Sequence, residues 1–187
     1  MDASSETRPD PSQHTVEVLV TPRLRLRHVV ESDAPFLLGL LNEPGWLRYI
    51  GDRGVRTLDD ARRYVVEGPQ RMYAAHGVGL YLVERRADGV PLGLCGLLRR
   101  ETLPDADLGF ALAEQYHGQG YAQEAAEATL AYARNALGLP RVVAIVLPAN
   151  AASRRLLERL GMTLEGTVRL APSAEELLLY GTTGTTR

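Results

Sequence analysis

Apolar residues are interleaved with polar ones from Val16 to Val20 and again from Leu24 to Val29, as in a half-buried strand. Pro22 lies between the two runs and predicts one strand with a break. Ser32 or Asp33 is placed to cap a short helix carrying Phe36, Leu37, Leu40 and Leu41, ending near Pro44-Gly45. Trp46, Leu47, Tyr49 and Ile50 come next as an aromatic-rich loop, suited either to lining a ligand cleft or to plugging the core. Thr57 to Ala75 reads as helix, with Asp59 and Asp60 in its first turn and a break or kink at Gly68-Pro69. Ala87-Asp88-Gly89 marks a hairpin between strands Leu80–Arg85 and Val90–Leu98.

Beyond a loop containing Pro104, the strand Asp107–Leu112 leads through Gly118 and Gly120 into a helix. Ala122, Ala126, Leu130, Ala133 and Leu137 recur there at helical spacing, and Gly138 and Pro140 end it. Val142 to Leu147 is continuously apolar and β-branched, as a central strand buried on both faces would be. Asn150 is placed to cap a helix with Leu156, Leu157 and Leu160 inward and Gly161 as its stop. Met162, Leu164, Val168 and Leu170 share one parity of a further strand, and Glu175–Tyr180 supplies the last. This order predicts a mixed α/β (α+β) sheet with helices on both faces. Residues 1–14, polar and carrying Pro9 and Pro11, read as a disordered tail, 15–181 as one domain, and 182–187 as a flexible tail, fraying from Gly181.

A net charge of −2 gives no electrostatic case for nucleic acid. All 21 basic residues are arginine, dispersed and balanced by acids, so side-chain amine chemistry is unavailable to the chain. Cys95 stands alone in an apolar run, which predicts a packed thiol in a reducing compartment. The four histidines lack metal-ligand spacing. No stretch approaches membrane-spanning length and no signal peptide opens the chain, so the expectation is a cytoplasmic protein, monomer or homodimer, without a metal.

The stretch from Leu108 to Ala125 carries the candidate chemistry. A strand feeding a glycine turn at a helix N-terminus presents backbone N–H groups with no intrahelical partner, backed by the positive end of the helix dipole. Such a turn is an anion site, or simply a tight strand-to-helix connection; the dinucleotide fingerprint fits less well, since its third glycine would fall at Gln123.

In order along the chain, Thr21-Pro-Arg-Leu-Arg-Leu-Arg27 with Ser32-Asp33-Ala34, Ala106-Asp-Leu-Gly-Phe110, Tyr116-His-Gly-Gln-Gly-Tyr-Ala-Gln-Glu-Ala125 and Asn150-Ala-Ala-Ser-Arg-Arg-Leu-Leu-Glu-Arg-Leu-Gly161 resemble the GNAT superfamily of acetyl-CoA-dependent N-acetyltransferases. The nearer likeness is to its RimJ/RimL-like branch, which acetylates protein N-termini and various small amines, and it spans about Thr21 to Tyr180. The resemblance implies a mostly antiparallel sheet splayed between the family's fourth and fifth strands, here Asp107–Leu112 and Val142–Leu147, with pantetheine between them. It implies that Gly118, Gln119, Gly120 and Ala122, flanked by His117 and Tyr121, hold the CoA pyrophosphate. His117 departs from the family's Gln or Arg at that position, a tolerable change where contacts come from the main chain. A backbone N–H near Leu112 would polarise the thioester carbonyl.

For the general base the resemblance points to Asp107, with Glu101 second. Asn150 would contact pantetheine. Ser153 matches a serine typical of the RimJ/RimL-like branch and would contact the sulfur; Leu157 stands where many superfamily members carry a tyrosine. Trp46 and Tyr49 would wall the acceptor side. The implied activity is direct acetyl transfer to a primary amine, foremost a protein or peptide N-terminal α-amine. A small amine (polyamine, amino acid or antibiotic) and a non-catalytic acyl-CoA-binding module on the same fold remain as alternatives.

Overall fold

The computed structural model describes residues 15–182; the tail expected at 1–14, and the tail expected at 182–187 apart from its first residue, lie outside them. β1 (Glu17–Val20) and β2 (Leu24–Arg27) are an antiparallel hairpin and not one interrupted strand. Pro22 sits at the corner, where its missing N–H is not needed. Thr21 closes the turn: its N–H donates to the Leu24 carbonyl at 2.9 Å, and its hydroxyl accepts the Leu24 N–H at 2.9 Å. Asp33 does not cap α1 (Ala34–Leu40) through its side chain. Its carboxylate is taken by Arg27, at 2.8 and 2.9 Å, and by the Val30 N–H.

The segment expected as an aromatic loop is helix α2 (Pro44–Tyr49). Proline at the first helical position starts a helix as readily as it ends the preceding one, and Pro44 does the former. α3 (Leu58–Val65) opens with Thr57, whose hydroxyl accepts the Asp60 N–H at 3.1 Å. Gly68-Pro69 does not break the helical run. A π-helical stretch, Val66–Gln70, absorbs the proline, and α4 (Arg71–His76) continues to the left-handed Gly77.

β3 (Leu80–Arg85), β4 (Pro91–Leu98) and β5 (Ala106–Leu112) form an antiparallel meander. α5 (Tyr121–Asn135) then crosses to β6 (Val142–Val146), which runs parallel to β5. α6 (Ala151–Arg159), β7 (Met162–Val168) and β8 (Leu177–Thr182) complete an eight-stranded sheet in the order β1-β2-β3-β4-β5-β6-β8-β7. The mixed, mostly antiparallel architecture expected from the sequence is the one present.

The last two strands differ from the sequence expectation. Gly181 and Thr182 belong to β8: Gly181 pairs with Val143 and Thr163, and the Thr182 hydroxyl accepts the Val142 N–H at 3.0 Å. A bulge between Leu164 and Gly166 breaks the single parity expected of Met162, Leu164, Val168 and Leu170, and along this edge strand Met162 is buried while Leu164 is exposed.

Alternation sorts the sheet into two cores. On one face Leu24, Leu26, Tyr81, Val83, Cys95 and Leu108 pack under α5, whose Ala125, Ala126 and Ala133 let it lie close. On the other, Leu82 and Leu94 meet Leu37, Leu40, Trp46, Ala61 and Val65 of the first three helices. β2 is tied to β3 by a buried charge cluster, in which Arg27 Nε donates to Glu84 at 2.6 Å while Arg25 takes its other oxygen. Deleting one partner of such a cluster costs about 3–5 kcal/mol, because the other charge is left buried and unpaired.

Candidate active site

β5 and β6 are paired only at Ala106–Val142 and Asp107–Val143; beyond Asp107 they part. Which groups face the opening depends on register. The Ala113 N–H donates to the Leu92 carbonyl at 2.9 Å, and antiparallel residue pairs alternate between bonded and non-bonded. Odd-numbered residues of β5 therefore bond to β4, and the backbone groups of Phe110 and Leu112 turn toward the gap. The Leu112 carbonyl is met there by the His117 ring, Nε2 at 2.8 Å, and its N–H still faces the gap. Side chains alternate as well. Leu108, Phe110 and Leu112 point to the α5 face, whereas Asp107 and Ala111 point to the face of α1–α3.

The gap opens into a cleft of about 1140 Å³, lined on one side by the α5 turn and on the other by α2. Asp107 lines it but is only 1% exposed. Its Oδ2 accepts from Arg100 Nε at 2.6 Å, and its Oδ1 is buried with no hydrogen-bond partner. Burial pushes this carboxyl up, while the Arg100 guanidinium pulls it down and the Ile145 amide helps slightly without closing a hydrogen bond. Glu101 is exposed in the turn after β4 and does not line the cleft, so Asp107 and Glu101 are not brought together.

At the other end Gly118 and Gly120 have φ of 73° and 80°, conformations that cost a residue with a Cβ about 1–2 kcal/mol. Gly120 is the N-cap of α5, and the first helical bond runs from the Glu124 N–H to the Gly120 carbonyl. The N–H groups of Tyr121, Ala122 and Gln123 are thereby left without an intrahelical acceptor. Gly118, Gly120, Tyr121 and Ala122 line the cleft; Gln119 does not, and its side chain folds back to the Gln115 carbonyl at 3.2 Å. A residue that the sequence does not single out, Glu124, braces this turn. It accepts from the Thr21 hydroxyl at 2.6 Å, the Arg23 N–H at 2.9 Å and Arg23 Nε at 2.6 Å, while Arg23 Nη1 donates to the Gln119 carbonyl at 2.9 Å. Burial raises the Glu124 carboxyl, but these hydrogen bonds outweigh it and hold the group below its ordinary value.

Asn150 caps α6 as expected, its Oδ1 accepting the Ser153 N–H at 3.1 Å; both residues line the cleft, and Leu157 beside them is buried. Trp46 and Tyr49 line the opposite wall, and Trp46 Nε1 is a buried donor with no partner. α2 is held there by two carboxylates: Glu43 accepts the Glu114 N–H at 3.0 Å, and Glu114 accepts the Gly45 N–H at 3.1 Å. Tyr64, Arg53, Leu170 and Glu175 also line the cleft. Cys95 lies in the α5-side core against Thr129, and burial pushes its thiol up to about 12. Among the described residues no cluster of metal-ligating side chains occurs, and no helix is long and apolar enough to cross a membrane.

Residues 23–163 match the acetyltransferase (GNAT) domain. The uncharacterised protein YkkB of Bacillus subtilis (strain 168) is 36% identical over 154 residues, covering 81% of this chain and 88% of its own length. The crystal structure of an acetyltransferase from Agrobacterium tumefaciens str. C58 superposes with a TM-score of 0.73 at 31% identity, over 88% of this chain and 93% of that one. RimL, a ribosomal L7/L12 α-N-protein acetyltransferase solved in complex with coenzyme A, shares the fold with a TM-score of 0.75 at 22% identity, over 88% of this chain and 96% of its own. The chain belongs to the GNAT acetyltransferase family and is an N-acetyltransferase; enzymes of this family use acetyl-CoA as co-substrate.

Proposed function

We propose that this N-acetyltransferase moves the acetyl group of acetyl-CoA directly onto a primary amine, and that the amine is the N-terminal α-amine of a protein or peptide. The observation that carries this reading is Asp107, a buried carboxylate beside the splay with one oxygen unpartnered. Main-chain amides of Gly118, Gly120 and Ala122 at the α5 turn suit the CoA diphosphate. Pantetheine would run through the gap between β5 and β6, past Asn150. The Phe110 and Leu112 amides face that gap, where a fixed N–H stabilises charge developing on the thioester oxygen.

The amine nitrogen attacks the thioester carbonyl carbon, and the C–S bond breaks as the tetrahedral adduct collapses. The amine proton passes to Asp107 Oδ1, directly or through one water, and later leaves to solvent; the departing thiolate takes the Ser153 hydroxyl proton, which a water replaces. Cys95 takes no part, since a packed thiol with so high a pKa offers no thiolate for a covalent acyl intermediate. An α-amine titrates near pH 8, well below a lysine side chain, and so asks little of a carboxylate base.

Support for a protein or peptide acceptor comes from the wall opposite α5. Leu47 and Ile50 expose apolar surface at its rim, 38% and 39%, beside Trp46 and Tyr49. RimL, named for α-N-acetylation of a ribosomal protein, has the same fold. The test offers acetyl-CoA with short peptides bearing free N-terminal Ala or Ser, with the same peptides blocked and carrying lysine, and with small amines. Turnover on the free N-termini is expected. Robust activity confined to blocked lysine peptides or small amines overturns the acceptor, and no acetyl transfer to any amine overturns the reaction.

A further inference from the structure

The β4–β5 connection brings a residue to the site that nothing in the sequence marks. Arg100 lies two positions beyond β4, lines the cleft, and points its Nε at Asp107 Oδ2 from 2.6 Å. The pair is lopsided: the Asp107 side chain is 2% exposed and that of Arg100 is 30%. One carboxylate oxygen is thus fixed from the solvent side while the other, buried in the same wall, has no donor. We propose that Arg100 is a positioning residue for acetyl transfer, clamping Oδ2 so that Asp107 presents Oδ1 to the acceptor amine. The proposal rests on the reading of Asp107 as the base.

The charges around Asp107 single out Arg100 for this role. On β4 its register partner is Leu98, and on β6 its neighbours are Val143 and the half-buried Ile145. From the adjoining chain, Asp105 faces Arg141 at 3.4 Å, and Arg141 is also bound to Glu165 of β7. Arg48, Arg53, Arg159 and Glu175 line the same cleft, but the ion pair of Asp107 is with Arg100. Among the described residues, Arg100 is the charged group in contact with the carboxylate. Without it, burial would push the carboxyl further up and leave it a poorer proton acceptor. An opposite charge at such range moves a carboxyl by roughly one to three pH units.

The test compares Arg100→Gln, Arg100→Lys, Asp107→Asn and the double variant Arg100→Gln/Asp107→Asn. The first readout is the pH profile of kcat/KM with acetyl-CoA and the peptide or amine turned over fastest by the wild type. Arg100→Gln is expected to move the acid limb alkaline by about one unit or more, with acetyl-CoA KM unchanged and Arg100→Lys intermediate. In the Asp107→Asn background, Arg100→Gln should have no further effect on the profile. The second readout needs no acceptor: thermal stability against pH. A carboxyl whose folded pKa lies above its unfolded value near 3.9 stabilises least when ionised, so stability falls as pH rises from about 4 through the folded pKa. That fall should extend to higher pH in Arg100→Gln and vanish in both variants carrying Asp107→Asn. An Asp107→Asn enzyme with wild-type turnover overturns Asp107 as base and this proposal with it. A slow Asp107→Asn enzyme beside an Arg100→Gln enzyme with an unmoved limb and an unmoved stability profile overturns the role of Arg100 alone.

Discussion

At the N-terminus of α5 the cleft is built of main chain, and across the splay it is built of side chains. The first half needs two glycines with φ near +75°, a helix start and a strand leading in, all inside residues 106–125. The second half gathers Trp46 and Tyr49 from α2, Arg100 from the β4–β5 connection, Asp107 from β5 and Glu175 from ahead of β8. A main-chain anion site binds by geometry, so its tolerance to substitution is set by what the backbone must do. A side-chain site binds by chemistry, and there the identity of single groups decides. The two halves should therefore fail in different ways.

The largest separation is expected at Asp107. Asp107→Asn removes the proton acceptor yet keeps the shape, so kcat should fall by about 10²–10⁴-fold, the usual contribution of a general base. Calorimetric acetyl-CoA affinity should stay near wild type, because the α5 turn is untouched. Wild-type turnover in this variant would show that the acceptor half does not depend on that side chain.

Gly120→Val should do the reverse. The φ of 80° is strained for any residue with a Cβ and most for a β-branched one, and the new Cβ would stand 3.3 Å from Arg23 Nη2. Strain of about 1–2 kcal/mol, set against binding, weakens acetyl-CoA by up to roughly tenfold to thirtyfold, and more if a methyl reaches the diphosphate. kcat at saturating acetyl-CoA should drop far less than in Asp107→Asn. Unchanged affinity would mean that the turn does not approach the cofactor closely.

The same contrast explains how much is legible in the sequence. The glycine turn, the Asn150 cap and the β-branched run of β6 each announce themselves locally, because each is a demand the backbone makes on neighbouring residues. The acceptor wall makes no local demand. α2 reads as a loop in the sequence because Pro44 signals a helix end and a helix start alike, and only its packing against the core shows which. Arg100 stands at the end of an apolar strand, as an arginine does in any soluble protein, and acquires meaning through the fold of the β4–β5 connection. β1 and β2 read as one strand because Pro22 marks a break without saying that the chain turns back.

Glu124 shows that even the main-chain half leans on one distant side chain, and it gives the smallest and most pH-specific effect. It is 101 residues from Arg23, so no local pattern joins them, yet its carboxylate receives three hydrogen bonds from the β1–β2 corner. Those bonds fix the first turn of α5 against the sheet and steady the carbonyl of Gln119 through Arg23. Hydrogen bonds to charged groups are worth about 1.5–3 kcal/mol, but the Arg23 side chain is 46% exposed, and screening brings the expected loss in Glu124→Gln nearer 1 kcal/mol. The folded carboxyl lies below its ordinary value of 4.5, so the stabilisation is present above the unfolded pKa and disappears as pH falls through the folded one. Denaturant titrations of wild type and Glu124→Gln should therefore differ at pH 7 and converge only as pH falls through the lowered folded pKa. A stability gap that persisted unchanged into acid would mean that the carboxylate charge at this corner contributes nothing, and that the turn stands by its glycines alone.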